Sequence, residues 1–261
     1  MFGYRDAQAQ EDVLSTVVFV EVLKPDGAPD IGTAFHIGKG YFVTAKHVIE
    51  GNRILKIGQE DMSAKTEILP SGDARRSTTH PGFEVLGDNL SWFGHPECDL
   101  AIIQVKGDVG QRGPADGLAP AMELADHADV LSAGELLTRS VQVFGFPRIP
   151  MSFDRIPPLV VVPGVISAVM QNHGDRRRHF ILSAMARGGF SGGPVFLMEN
   201  VTVRTSAERL RANSSTAIGV VVWSRRAERA GEDLEPGFVD AISIENVYQI
   251  IDLYRLPLKL R

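Results

Sequence analysis

Cysteine is almost missing from this chain: Cys98 is the only one in 261 residues. A single thiol excludes intrachain disulfides and any multi-cysteine metal cage. Aromatic residues are few, at 7%, and Trp92 and Trp223 are the only tryptophans. Two indoles make no stacking platform for nucleic acid and read instead as core or pocket wall. No apolar run approaches the ~18 residues that would suggest a membrane-spanning helix. The opening stretch, MFGYRDAQAQEDVL, carries early acids and no apolar h-region, so it does not read as a secretory leader. The expectation from these absences is a cytoplasmic protein with no membrane partner.

A strong charge of one sign is also missing, with 27 Lys/Arg against 32 Asp/Glu. Residues 1–149 hold 13 basic against 21 acidic side chains (−8), and residues 150–261 hold 14 against 11 (+3). That asymmetry is too weak for a nucleic-acid surface, which needs a basic stripe interleaved with aromatics. The densest basic cluster, Arg176-Arg177-Arg178, lies between two apolar runs and reads as a solvated hairpin tip. The histidines His36, His80, His95, His127, His173 and His179 show no metal-ligand spacing, and no metal or organic cofactor is expected. Asn89-Leu90-Ser91, Asn200-Val201-Thr202 and Asn213-Ser214-Ser215 fit the glycosylation pattern, which carries little without a secretory leader.

What the chain does have is short runs of Val, Ile and Phe bounded by Gly, Pro, Asp and Asn, the pattern of β-strands. The first half offers Val17–Leu23, Thr33–Ile37, Tyr41–Thr44, Ile54–Ile57 and Leu100–Val105. A second set comprises Val141–Phe144, Leu159–Val162 continuing to Val169, Phe180–Ala184, Pro194–Met198, Ala217–Trp223 and Phe238–Ile242. Residues 107–139, rich in Gly, Ala, Asp and Pro, read as the linker, with a short helical stretch at Ala125–Leu131. One amphipathic helix is expected at about 244–255, where Val247, Ile250, Ile251 and Tyr254 recur at helical spacing, Ser243 caps and Pro257 stops it. The reading is all-β: two six-stranded antiparallel barrels, residues 1–125 and 126–261, with a C-terminal helix.

The sharpest chemical signal is Gly188-Gly189-Phe190-Ser191-Gly192-Gly193-Pro194. Four glycines around one serine allow a tight turn that exposes the hydroxyl and gathers amide N–H groups beside it. That arrangement suits a nucleophile whose attacked carbonyl oxygen becomes an anion. The same residues fit G-x-S-x-G, the nucleophile elbow of α/β-hydrolases, whose histidine follows the serine. Here the last histidine is His179, so chain order excludes that fold. Upstream, Thr44-Ala45-Lys46-His47 ends one apolar strand and Cys98-Asp99-Leu100-Ala101 opens another. The order His47, Asp99, Ser191 is that of chymotrypsin and differs from that of subtilisin. Cys98 beside the acid reads as a buried strand thiol and not as a nucleophile.

These blocks resemble those of the chymotrypsin-fold (trypsin-like) serine peptidases, particularly bacterial ones in the style of the HtrA protease domain. Thr44–His47 resembles T-A-x-H, Asp99–Ala101 resembles D-[LI]-A, and Gly189–Pro194 resembles G-[DN]-S-G-G-P. Gly32–Phe35, Val143–Pro147, Gly164–Ser167, Gly219–Ser224 and Pro236–Val239 are fainter echoes, so the likeness runs over roughly residues 15–255. The resemblance implies a Ser191–His47–Asp99 triad with an oxyanion hole from the Gly189 and Ser191 N–H groups. It also implies a substrate pocket with Met185 at its base and Val222, Trp223, Ser224 and Gly237 along its walls. Protein or peptide substrates would then be cleaved through an acyl-enzyme. Met185 offers no acid to Lys or Arg, so a small or medium apolar side chain is expected at the cleavage site.

Three residues depart from the family. Phe190 replaces the Asp or Asn before the nucleophile, which removes activation by an N-terminal salt bridge. Val222 replaces a serine that supports the catalytic acid, and Lys46 beside the histidine is expected to face solvent. Phe190 and Val222 keep a second reading open, a non-catalytic peptide-binding or regulatory module. Few residues follow the terminal helix, so no PDZ module is expected there. Control by a regulatory protein, a ligand or a rearrangement around Arg187–Phe190 is expected instead.

Overall fold

The computed structural model describes residues 13–59, 65–68, 74–77, 84–106, 123–124, 133–149, 158–185, 188–198, 201–204, 209–212, 216–224 and 238–258. The Ala125–Leu131 stretch, Arg187 and Gly237 lie outside these residues.

The first sheet grows from strands whose side chains are buried nearly without interruption. These are β1 (Val17–Leu23), β2 (Pro29–Gly38) and β3 (Tyr41–Thr44). Neighbouring strands are β4 (Arg53–Gly58), β7 (Glu84–Leu86), β8 (Leu90–Gly94) and β9 (Ala101–Val105), while β5 (Lys65–Ile68) and β6 (Ala74–Ser77) pair separately. The antiparallel order is β7-β4-β1-β2-β3-β9-β8. Its two edge strands, β7 and β8, are joined by the three-residue 3-10 turn Gly87–Asn89. So short a link requires the sheet to curl back on itself. A Cβ at Gly87 would lie 1.9 Å from the Ile54 carbonyl oxygen, so only glycine lets this turn cross β4.

The second sheet contains β10 (Glu123–Leu124), β11 (Ser140–Gly145), β12 (Val160–Gln171), β13 (Arg178–Ala184), β14 (Pro194–Leu197), β17 (Thr216–Ser224) and β18 (Phe238–Ser243). The strands β15 (Val201–Arg204) and β16 (Arg209–Ala212) pair as a separate hairpin. Pairing of β17 with β18 closes β17-β14-β11-β12-β13-β18 into a six-stranded barrel, and β10 adds to it in parallel beside β17. The fold is therefore all-β in two halves, a closed six-stranded barrel and a half-barrel. The expected pair of six-stranded barrels differs from this at the first half: its sheet has seven strands, among the described residues no ladder joins β7 to β8, and β10, inside the expected 1–125 range, pairs with the second sheet.

The two halves share a core. Phe19 of β1 meets Phe146, just after β11, edge to face with ring centroids 5.9 Å apart. The terminal helix spans Glu245–Tyr254, one residue inside the expected limits, and buries Val247, Ile250 and Ile251. Ser243 does not cap it. Pairing holds Ser243 as the last residue of β18, and its hydroxyl meets the Glu245 carboxylate, while Ile244 stands at the helix entry. Arg255 ends the helix in the left-handed region, φ 51°, with the Leu256 N–H returning to the Ile251 carbonyl at 2.9 Å. This helix from the second half reaches the first: the Tyr254 hydroxyl donates to the Gly94 carbonyl at 3.0 Å, over the Phe93 ring.

Candidate active site

His47 sits on a one-turn helix, Lys46–Ile49, reached directly from the end of β3. Asp99 precedes β9, and pairing of β3 with β9 brings the two together at one end of the sheet. The Asp99 carboxylate uses both oxygens on His47: Oδ2 lies 2.6 Å from Nδ1, and Oδ1 accepts the backbone N–H at 2.8 Å. A carboxylate that accepts two charge-assisted bonds fixes ring and helix together. An acceptor-only partner assigns the ring proton to Nδ1 and leaves Nε2 as the basic nitrogen. The Lys46 N–H, donating to the Asp99 carbonyl at 3.3 Å, secures the same turn. His47 and Asp99 side chains remain 42% and 36% exposed, so the pair is open to solvent.

Ser191 arrives from the other half, on the turn that precedes β14. Its carbonyl accepts the Thr33 N–H at 2.8 Å, which ties the nucleophile turn to β2 of the first sheet. Gly192, at φ 87°, lies so close to β2 and β3 that a Cβ would meet the Thr33 carbonyl at 2.0 Å and Thr44 Oγ1 at 2.3 Å. Thr44 is three residues before His47, so this close approach sets the serine turn against the root of the histidine helix. Among the described residues the link is made through backbone and not by a hydrogen bond from the Ser191 hydroxyl to the imidazole. Such bonds are often long in unliganded enzymes and tighten on substrate binding.

Gly189 has φ 100°, and its carbonyl accepts the Thr33 hydroxyl at 2.6 Å and the Phe146 N–H at 3.3 Å. Among the described residues, neither the Gly189 nor the Ser191 N–H donates to a backbone carbonyl. Phe190 between them is buried, its ring so close to β11 that a Cβ at Gly145 would lie 2.6 Å from it. The residue that departs from the family motif is thus an apolar plug seated in the second barrel.

The pocket residues are placed less completely. Met185 follows β13 and is 80% exposed. Val222 is buried at a bulge where β17 slips against β18, and Trp223 and Ser224 continue β17 beside Asp240 and Val239. Gly237 lies outside the described residues.

Sequence reasoning missed the ring of side chains behind Asp99. Lys46 is not free in solvent; its ammonium donates to the His95 carbonyl at 3.2 Å. His95 is buried, accepts the Glu97 and Cys98 N–H groups on Nδ1 at 3.1 Å each, and meets Gln249 of the terminal helix through Nε2 at 3.2 Å. Burial is the main cause that lowers its pKa, and the Arg177 charge adds to it. Arg177 turns inward to Glu97, so the basic hairpin tip is only partly solvated; Arg176 keeps the exposed left-handed turn position. His179 is buried between Asp240, 2.6 Å from Nδ1, and Asp175, 2.9 Å from Nε2. Burial opposes its charge, but the two carboxylates outweigh burial and raise its pKa. The Cys98 thiol is pushed up to about 12 by burial first and by the Asp175 charge second, so it stays protonated.

Two β-barrel halves, a histidine–carboxylate pair on one and a glycine-framed serine on the other, define a trypsin-like architecture. A trypsin-like peptidase domain matches residues 32–203, well over half of the chain, and the chain belongs to that family. Among solved structures it is similar to the HtrA-type protease AlgW with tripeptide, with TM-score 0.56 and 18% identity. That match covers 94% of this chain and 62% of AlgW, so this chain corresponds to less than two thirds of it. It is also similar to the Rv3671c protease from M. tuberculosis in its active form, with TM-score 0.58 and 15% identity, over 95% of this chain and 84% of that one. No curated protein sequence matches it.

Proposed function

We propose that the chain is a serine endopeptidase that cleaves protein substrates through an acyl-enzyme. The observation that carries this reading is the two-point hold of Asp99 on His47, together with a serine turn whose Gly189 and Ser191 N–H groups donate to no backbone carbonyl among the described residues. Ser191 Oγ attacks the peptide carbonyl as His47 Nε2 takes its proton. The Nδ1–H donated to Asp99 Oδ2 stabilises the imidazolium that forms. The tetrahedral oxyanion accepts from the Gly189 and Ser191 N–H groups, each donor worth on the order of 3 kcal/mol in the transition state. His47 then protonates the leaving amine, and water, activated by the same imidazole, releases the acyl group.

Where the family resemblance would place a selecting acid, this chain has the uncharged and 80% exposed Met185, so the reading is cleavage after small or medium apolar residues and not after Lys or Arg. We further propose that a regulatory protein, a ligand or a rearrangement around Arg187–Phe190 controls the site. The test is digestion of a peptide library by the native chain and by Ser191→Ala. Cuts after apolar residues that vanish in Ser191→Ala support the reading. Cuts after Arg or Lys contradict the specificity, and an inert native chain favours the non-catalytic peptide-binding module.

A further inference from the structure

Thr33 lies in β2, within the faint Gly32–Phe35 echo but outside the three blocks that carry the triad candidates, and it is fully buried at the junction of the two halves. Each of its polar groups is used across that junction or at its edge. Its N–H donates to the Ser191 carbonyl at 2.8 Å. The hydroxyl donates to the Gly189 carbonyl at 2.6 Å and accepts the Phe146 N–H at 3.1 Å. The Thr33 carbonyl in turn accepts the Thr44 hydroxyl at 2.7 Å.

One residue of the first half therefore holds the carbonyls of Gly189 and Ser191, the two residues whose N–H groups form the oxyanion hole in the peptidase reading. The hydroxyl matters most at Gly189. A glycine can rotate its flanking peptides at little steric cost, and glycine is required here because a Cβ would lie 2.4 Å from the Phe146 carbonyl oxygen. Without the hydroxyl, the Gly189 carbonyl keeps only the longer 3.3 Å bond from the Phe146 N–H. The Phe146 N–H would also lose the hydroxyl it donates to.

We propose that the Thr33 hydroxyl is a positioning group for the oxyanion hole: it fixes the Gly189–Phe190 peptide, the unit between the two peptides that carry the Gly189 and Ser191 N–H groups, and so limits how those two donors can turn. The proposal rests on the peptidase reading for its catalytic consequence, but not for the anchoring itself.

The experiment compares the native chain, Thr33→Val, which keeps the shape and removes the hydroxyl, and Thr33→Ser, which restores it. Three readouts are taken: kcat and KM on a cleaved peptide, the rate of fluorophosphonate labelling of Ser191, and amide hydrogen exchange across Gly188–Gly193. Thr33→Val is expected to lower kcat and the labelling rate by about 10- to 100-fold, the scale of a misplaced catalytic group. KM should stay within about twofold, since the loss falls on the transition state. Exchange across Gly188–Gly193 should accelerate in Thr33→Val alone, and Thr33→Ser should return all three readouts towards native values. Native kcat, labelling and exchange in Thr33→Val would overturn the proposal, as would a loss that Thr33→Ser does not restore. If the native chain neither cleaves nor labels, the peptidase reading fails, and the exchange comparison alone decides the anchoring. Should Thr33→Val not fold, the Thr33 hydroxyl proton of the native chain decides by NMR: slow exchange supports the bond to Gly189, and fast exchange overturns it.

Discussion

Phe190 shows how this chain departs from a motif without losing the geometry the motif serves. A buried ring seats the nucleophile turn in the second barrel where an acid would need a charged partner. Phe190→Ala is expected to cost about 3–5 kcal/mol, the usual range for emptying a buried aromatic site, measured as a loss of unfolding free energy in urea. Phe190→Asp should destabilise at least as much, because it buries a carboxylate where an apolar ring now packs. At Asp99 the expectation is the opposite in kind. Asp99→Asn should leave the urea midpoint nearly unchanged and lower kcat by about 10⁴-fold, since an amide no longer fixes the ring proton on Nδ1. The three triad candidates were legible because each stands in a short motif whose residue types are forced by chemistry. Thr33, His95 and His179 were not, because their roles arise from partners 156, 154 and 61 positions away in the chain, which no local pattern displays.

At the scale of elements, two buried histidines respond to pH in opposite directions. His95 holds the Glu97–Cys98 turn as a neutral acceptor and ties it to the terminal helix through Gln249. Its folded pKa is lowered, so the stability it brings is complete above the unfolded value near 6.5 and is lost as pH falls through the folded value. His95→Asn keeps an acceptor and abolishes that titration. The native chain should therefore lose more unfolding free energy than the variant on acidification below about pH 6.5. His179 is bound by two carboxylates, and its folded pKa is raised. Its contribution is complete below about 6.5 and is lost as pH rises through the folded value. The gap in urea midpoint between the native chain and His179→Gln should narrow with rising pH; a gap that widens would contradict the pairing. The long central strands were legible from their Val-, Ile- and Phe-rich runs, whereas short or polar ones such as β7, β8, β10 and the hairpins β5–β6 and β15–β16 carry no such run and were not. The helix start was missed by a residue, because β-pairing claimed Ser243 before it could cap.

The whole molecule is organised so that neither half carries all of the proposed site. Asp99 and His47 come from the half-barrel, and Ser191 with its N–H donors from the closed barrel. The junction is fixed by Thr33, by the Phe19–Phe146 ring contact, by Arg177 on Glu97, and by Gln249 and Tyr254 of the terminal helix. The order of the motifs in the sequence pointed to a triad divided between two halves, but not to the residues that lock the halves together. Intact-mass measurement after fluorophosphonate treatment tests the central claim most directly, with native chain, Ser191→Ala and His47→Ala side by side. The account predicts one phosphonyl group per native chain, located on Ser191, none on Ser191→Ala, and labelling slowed by about 10³-fold or more in His47→Ala. An unlabelled native chain, or equal labelling of the native chain and His47→Ala, would contradict it.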